Sequence, residues 1–541
     1  MTNSNEAGAQ SDGLRAGQPG YLALVLHAHL PFVRHPEHDK FLEEDWLYEA
    51  ITETYVPLLE MLEKWERQGV AAAFSLTLSP TLCSMLLDPL LCGRYIRRLD
   101  GLIELAEKET HRTHWEPALN KVSWHYLERF QQVRQLWFRW EQNLVAAFRH
   151  FQDIDLLEIL TCPATHAVLP LLARHPESIR AQILVARDHY RSCFGREPRG
   201  IWLAECAYAP GVEEILAEAN IRWFITDTHG ILQATPRPRY GVFAPVFTPQ
   251  GVAAFGRDID SSKQVWSRDG GYPGDPDYRD FYRDIAFDLD LDYLQPYMPI
   301  GGQRTFTGVK YHRITGPEGE KAIYNREAGL QRASEHARHF LAARIRHIEE
   351  ISGVMEQAPV LIAPYDAELF GHWWYEGPEF LDAFFTAAAS SREKLVPITP
   401  SGFLRQFPRH QIATPAASSW GEEGYLRVWL NEKNEWIYPH LDIAAERMTA
   451  LARRHPVADG LTLRALQQAG RELLLAQSSD WPFILRTGTN PDYATRRVKD
   501  HLLRFIALHE QLTTTSVDEA WLAGIEGQDN IFPAIDYRYW A

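Results

Sequence analysis

The chain has 541 residues, 45% of them hydrophobic and 23% charged, with 17 Trp and a net charge of −16. That length exceeds what one hydrophobic core usually spans, so one enlarged domain or two to three domains are expected. The acidic balance, with no Lys/Arg-rich stripe to offset it, argues against nucleic acid as a partner but raises no barrier to a neutral polymer.

Residues 1–19 are rich in Gly, Ser, Asn and Ala, lack the apolar stretch of a signal peptide and read as a disordered leader. No apolar run approaches membrane-spanning length, so no membrane association is expected. The cysteines (Cys83, Cys92, Cys162, Cys193 and Cys206) are few, scattered and odd in number, and no CxxC pair occurs. A reducing, cytoplasmic location follows.

From residue 20 onward, short apolar runs each end in a polar cluster. Residues 21–26 lead into His27-Ala28-His29, residues 71–78 into Ser79-Pro80, and residues 156–160 into Thr161-Cys162-Pro163 with His166 beyond. Residues 200–203 meet Ala204-Glu205-Cys206, residues 221–226 meet Asp227-Thr228-His229, and residues 360–363 meet Pro364-Tyr365-Asp366. Helical patterns lie between them, which implies a parallel sheet. Chemistry placed after the C-terminal ends of several strands is the plan of a β/α barrel. A doubly wound open sheet is the rival, but no GxGxxG or GxxxxGK[ST] follows any strand.

Residues 99–151 break the alternation. Leu127, Phe130, Trp137, Trp140, Leu144, Phe148 and Phe151 recur at helical spacing, which predicts one long amphipathic helix in an insertion. Residues 251–276 read as a long loop of the kind that forms lids or binding loops. After residue 401 strand signals fade, and residues 444–454, 463–476 and 496–512 carry helical patterns. The expected organisation is a barrel over 20–98 and 152–400, a helical insertion over 99–151 and a C-terminal helical domain over 401–541.

Two segments carry carboxylates that a folded core would not hold idly. Glu205 ends an apolar strand beside Trp202, Cys206 and Tyr208. Asp366 opens a segment that also holds Glu368, His372, Trp373, Trp374 and Tyr375. A buried carboxylate is costly unless paired or used. Two of them about 5–5.5 Å apart serve retaining glycoside chemistry, one as nucleophile and one as acid/base. His27 and His29, with His166 and Asp227, offer a donor set that zinc could take, but contacts to sugar hydroxyls suit them better. No metal or other cofactor is expected.

Together, five segments resemble the motifs of glycoside hydrolase family 57, and within it those of the glucan branching enzymes. They are His27-Ala-His-Leu-Pro31, His166-Ala-Val-Leu-Pro170, Gly200-Ile-Trp-Leu-Ala-Glu-Cys-Ala-Tyr208, Ala363-Pro-Tyr-Asp-Ala-Glu-Leu-Phe-Gly-His-Trp-Trp374, and Trp420 through Trp436. The resemblance implies a distorted (β/α)7 barrel in the α/β class, with a helical insertion and a C-terminal helical domain. It implies a nucleophile at Glu205 and an acid/base at Asp366. By the same resemblance His27, His29 and His166 line the donor site, Trp46, Trp420 and Trp429 face substrate, and Trp266, Asp480 and Trp481 are softer substrate contacts. A mobile-loop tyrosine would be Tyr240 or Tyr272. The implied activity is transfer of an α-1,4-glucan segment to a 6-hydroxyl by a monomer or small homo-oligomer. An α-amylase or 4-α-glucanotransferase of the same family is the alternative, and a non-catalytic glucan-binding protein is the reading from another class.

Overall fold

The computed structural model describes residues 19–266, 270–298, 304–315, 321–514 and 516–541. The leader expected over 1–19 therefore lies outside the described residues, apart from Pro19.

Nine strands are described: β1 (Gly20–Ala28), β2 (Phe74–Leu78), β3 (Leu157–Leu160), β4 (Gly200–Ile201), β5 (Trp223–Thr226), β6 (Val246–Phe247), β7 (Ala253–Gly256), β8 (Val360–Asp366) and β9 (Leu395–Pro397). They form two sheets, β3-β2-β1-β8 with β9 also on β1, and β4-β5-β7-β6. Two seams join these sheets into a ring. Thr161 bridges Ile201 in parallel, with Trp202 N donating to Thr161 O at 2.9 Å, and Asp258 N donates to Ile362 O at 2.8 Å. Around the ring, β1, β2, β3, β4, β5, β7 and β8 are parallel, the seven strands of a distorted (β/α)7 barrel. Short β6 pairs antiparallel to β7, outside that ring.

The period of two along a strand explains both the core and the site. Tyr21, Ala23 and Val25 of β1, Val360 and Ile362 of β8, Trp223 and Ile225 of β5, and Ala253 and Phe255 of β7 share one buried cluster. Continuing the alternation one step delivers His27, Asp227 and Arg257 to the C-terminal end of the barrel, and two steps along β8, past Pro364, deliver Asp366. The β1–β8 register sets His27 directly beside Asp366. The barrel is narrow: at Gly200 a Cβ would lie 2.3 Å from the Trp223 indole, so only glycine lets β4 approach β5 there.

Several expectations are corrected. The seventh barrel strand, β7, lies inside the stretch read as a lid loop over 251–276, together with the helix Ile259–Trp266. The apolar run Val252-Ala-Ala-Phe255 is too short to stand out against its glycine-rich flanks. The single insertion helix is two, Pro117–Arg139 and Leu144–Asp153, because Glu141 and Gln142 take left-handed backbone (φ 51° and 63°) and Asn143 caps a new start. A preceding helix, Pro89–Arg112, runs through the expected boundary at residue 99. Asp88, accepting from Leu91 N at 3.1 Å, sets its start ten residues earlier than read. The boundary at 401 also fails. Helix Pro400–Gln406 puts Phe403 in the barrel cluster, and bridges from Ile412, Thr414 and Ser418 run along the barrel before the C-terminal helices begin at Ile437. Those helices then follow at Gly460–Ala476, Asp480–Thr487 and Pro491–Thr514.

Among the described residues no helix is long and apolar enough to cross a membrane, and all five cysteines are free.

Candidate active site

Glu205 sits in a tight turn that follows β4. Its backbone is left-handed (φ 62°), as are those of Cys206 (φ 50°) and His166 (φ 57°). Non-glycine residues adopt this region at a cost that the surroundings must offset, and such residues gather at functional sites. The turn is held from two sides: Trp420 N donates to Glu205 O at 3.0 Å, and Cys206 N donates to Leu203 O at 2.9 Å. Trp420 also donates from Nε1 to Glu205 Oε2 at 2.6 Å. His166 Nδ1 lies 3.9 Å from Glu205 Oε1. The Glu205 side chain keeps 18% of its surface open, enough to face a ligand.

Burial pushes the Glu205 carboxyl up to about 8; the Trp420 hydrogen bond opposes this, while the charges of Asp366 and Asp480 add to it. Asp366, at the end of β8, is pushed up by burial to about 6, with His29 and Arg257 holding it back. The charge of Asp366 thus adds to the rise at Glu205, while His29 and Arg257 oppose the rise at Asp366 and the Trp420 hydrogen bond opposes that at Glu205. Two positions on, burial lifts Glu368 to about 8, although Tyr55 donates to its Oε1 at 2.5 Å. In the sequence Glu368 is simply a second carboxylate of the Asp366 segment. In the fold it fastens the turn after Asp366 to Tyr55, which ends a π-helical turn, Ile51–Tyr55.

The histidines form one stacked group. His27 lies 4.6 Å from Trp202 at 12°, His29 lies 3.8 Å from His166 at 11°, and His27 and His166 share a hydrogen bond between Nε2 atoms at 2.8 Å. His29 Nδ1 pairs with Ser79 Oγ (2.9 Å) and Nε2 with Asp480 Oδ2 (3.1 Å), while His166 Nδ1 pairs with Ser479 Oγ (2.7 Å). Burial, reinforced by the neighbouring imidazoles, holds His27 and His166 well below the usual imidazole range, so both are neutral. Burial alone would raise Asp480, but the charge and hydrogen bond of His29 hold it below the ordinary carboxylate value. Donor atoms of His29, His166 and Asp480 lie within 4.8 Å of one another, as do those of His27, Cys162 and His166. In the first set every imidazole nitrogen is already engaged, so it reads as a hydrogen-bond network rather than a metal cage.

The predicted residues divide sharply. Glu205, Asp366, His27, His29, His166, Trp420 and Asp480 converge on the mouth of the barrel. Trp202 and Arg257 join them, with Arg257 over the Trp420 ring at 5.9 Å and bonded to Asp227 at 3.2 Å. Arg257 was missed because β7 was missed. Trp429 and Trp481 do not offer a face to a ligand: they are 1% and 0% exposed. Trp429 packs under Trp420, and Trp481, with Nε1 donating to Leu475 O at 2.7 Å, anchors the helix that begins at Asp480. Trp46 is half-buried, edge-on to Tyr493, and Trp266 is 52% exposed at its helix end; among the described residues no hydrogen bond joins either to Glu205 or Asp366. Tyr272 is buried with its hydroxyl on His339 (2.8 Å), and Tyr240 faces Glu356 (3.5 Å), so neither loop tyrosine is engaged with the pair.

Residues 23–415 match the family model described as glycosyl hydrolase family 57, and residues 440–540 match that of the 1,4-alpha-glucan branching enzyme C-terminal region. The chain is 33% identical to a 1,4-alpha-glucan branching enzyme of Thermococcus kodakarensis, over 95% of this chain and 77% of that one. Its structure resembles that of the α-amylase AmyC from Thermotoga maritima, with a TM-score of 0.91 and 43% identity, covering 97% and 99% of the two chains. It also resembles a branching enzyme of that family from Pyrococcus horikoshii, with a TM-score of 0.86, 32% identity and 96% coverage of each.

Proposed function

The chain belongs to glycosyl hydrolase family 57, and from that premise we propose that it is a 1,4-α-glucan branching enzyme using Glu205 and Asp366. The observation that carries the proposal is the C-terminal match over 440–540, together with the fact that this region supplies Ser479 and Asp480 to the barrel mouth.

Retention of the α-configuration calls for two displacements. Glu205 attacks the anomeric carbon of the donor glucose while the Asp366 proton passes to the departing glycosidic oxygen. A glycosyl ester on Glu205 results. Asp366, now a carboxylate, takes the proton from an acceptor 6-hydroxyl as that oxygen attacks the same carbon and releases Glu205. The reaction needs a pair holding one proton. Values of about 6 and about 8 give that state between them, with the proton on Glu205 in the empty site. Positive charge developing at the anomeric carbon favours the Glu205 anion, so the bound donor draws the proton across to Asp366. Neutral His27 and His166, with His29 beside them, suit hydroxyl recognition, and Trp420, held edge to face on buried Trp202, helps to exclude water, which competes as an acceptor.

The name of the Thermotoga maritima relative favours hydrolysis as the second reading. Incubation with amylose followed by proton NMR separates the two: branching yields new α-1,6 linkages with few reducing ends. Reducing ends that rise in step with amylose consumption would overturn the proposal. Glu205→Gln and Asp366→Asn should each abolish turnover. A cytoplasmic location and a monomer or small homo-oligomer complete the proposal.

A further inference from the structure

The segment between β7 and the helix Arg326–Ser352 carries aromatic rings open to solvent. Tyr282 is 73% exposed and Phe287 52%, and Trp373, from the segment after β8, is 48% exposed. They are not scattered. Phe281 stacks on Trp373 with centroids 4.2 Å apart, meets Tyr282 at 5.1 Å and Phe306 at 5.6 Å, and Phe306 meets Phe287 at 5.7 Å. A contiguous exposed apolar surface of this kind marks a binding site more often than an accident of packing.

This surface is built on buried polar anchors. Asp284, fully buried, accepts from Ala286 N (2.9 Å), Thr307 Oγ1 (2.7 Å) and Gly308 N (2.9 Å), tying the two aromatic stretches together. The buried Lys310 ammonium lies 4.2 Å from the Phe281 ring centre and 4.6 Å from that of Phe306. Below them Arg279 pairs with Glu53 at 3.1 Å, and His372 Nδ1 bonds Glu53 at 2.7 Å. Gly371 (φ 117°) crosses so close to the π-helical turn that a Cβ would lie 1.8 Å from Glu53 O, which pins Trp373 in place. Loops that merely connect elements do not need such bracing.

One link joins the surface to the reacting centre. Trp373 N donates to Glu368 O at 3.1 Å, and Glu368 follows Asp366 by two positions in the same turn. Along its edge, Glu49 keeps 20% of its side chain open with Oε2 at 3.8 Å from His372 Nε2, a polar margin suited to hydroxyl groups. A branching reaction handles two glucan chains, a donor held at Glu205 and an acceptor that must reach the same carbon. We infer that the Phe281–Tyr282–Phe287–Trp373 surface binds the acceptor α-glucan chain, stacking glucose rings and presenting a 6-hydroxyl to Asp366. This rests on the branching reading.

The test compares Trp373→Ala, Tyr282→Ala, Phe287→Ala and Trp373→Phe with the parent on amylose, counting α-1,6 linkages formed against reducing ends released. Loss of acceptor binding leaves the glycosyl-enzyme to water, so the ratio should fall roughly tenfold in Trp373→Ala and recover in Trp373→Phe. An unchanged ratio overturns the inference, whether both rates stay level or both drop together as in a merely structural defect. A second readout does not need turnover: native electrophoresis in glycogen gels with Glu205→Gln, alone and combined with Trp373→Ala and Tyr282→Ala. Lost retardation in the combined variant supports the site, and unchanged retardation overturns it. A parent that forms no α-1,6 linkages defeats the branching reading instead, and the gel alone then decides whether this surface holds glucan. Self-association abolished by the same substitutions, with ratio and retardation intact, overturns it in favour of a protein contact.

Discussion

Replacing Glu205 by Gln should strengthen the fold while ending catalysis, and by an amount that depends on pH. Burial raises the Glu205 carboxyl from its ordinary 4.5 to about 8. A carboxyl raised on folding binds its proton more tightly in the folded chain. Its cost to stability is therefore absent below about pH 4, grows as pH rises through 4.5, and is complete above about 8. At ~1.36 kcal/mol per decade, the gap sets a ceiling of about 5 kcal/mol. With 18% of the side chain open to solvent, about 2–3 kcal/mol is the reasonable expectation. Gln has the same shape, cannot ionise, and keeps an oxygen to accept from Trp420 Nε1. For a chain of 541 residues the unfolding entropy is about 1.1 kcal/mol per kelvin. Glu205→Gln should then melt close to the parent at pH 5 and about 2 °C higher at pH 8.5, or further if the barrel melts on its own. Scanning calorimetry at the two pH values measures this. An equal difference at both, or a lower melting point at pH 8.5, would refute the claim that Glu205 is held against solvation.

The ratio kcat/KM should follow a bell in pH with limbs near 6 and 8, since the pair must carry one proton; a single sigmoid across pH 4–10 contradicts the shared-proton mechanism. Trp420→Phe removes the donor that opposes the rise of Glu205, so the alkaline limb should move to higher pH and kcat should fall roughly a hundredfold. A profile of unchanged shape would show that the indole serves packing alone. Asp480→Asn weakens the acceptor for His29 Nε2; activity should drop about tenfold with little change in melting temperature, and full activity would remove the network from the site.

Much of the barrel was legible because its strands are apolar runs that end abruptly in chemistry, as at His27, Glu205 and Asp366. What escaped was set by geometry with weak local marks. Strand β7 has four residues, so Arg257 had no visible strand to follow. The break after Trp140 rests on left-handed Glu141 and Gln142, residues with no strong preference for that backbone; only Asn143 hinted at it. Burial also separated tryptophans that look alike in sequence. Trp420 reaches Glu205, while Trp429, nine positions later, is covered by Trp420, Val168 and Ala207. The partnership of His29 with Asp480 spans 451 positions and leaves no trace in either neighbourhood.

The hydrogen bonds that reach the barrel mouth from Trp420, Ser479 and Asp480 have an evolutionary corollary. All three partners lie beyond residue 415, where the match to the catalytic family model stops. Neither half can drift freely, since each substitution near that seam is judged by the other side. A chimaera that joined this barrel to a distant cousin's tail would inherit half of a hydrogen-bond network, and its fitness would turn on the splice rather than on either parent.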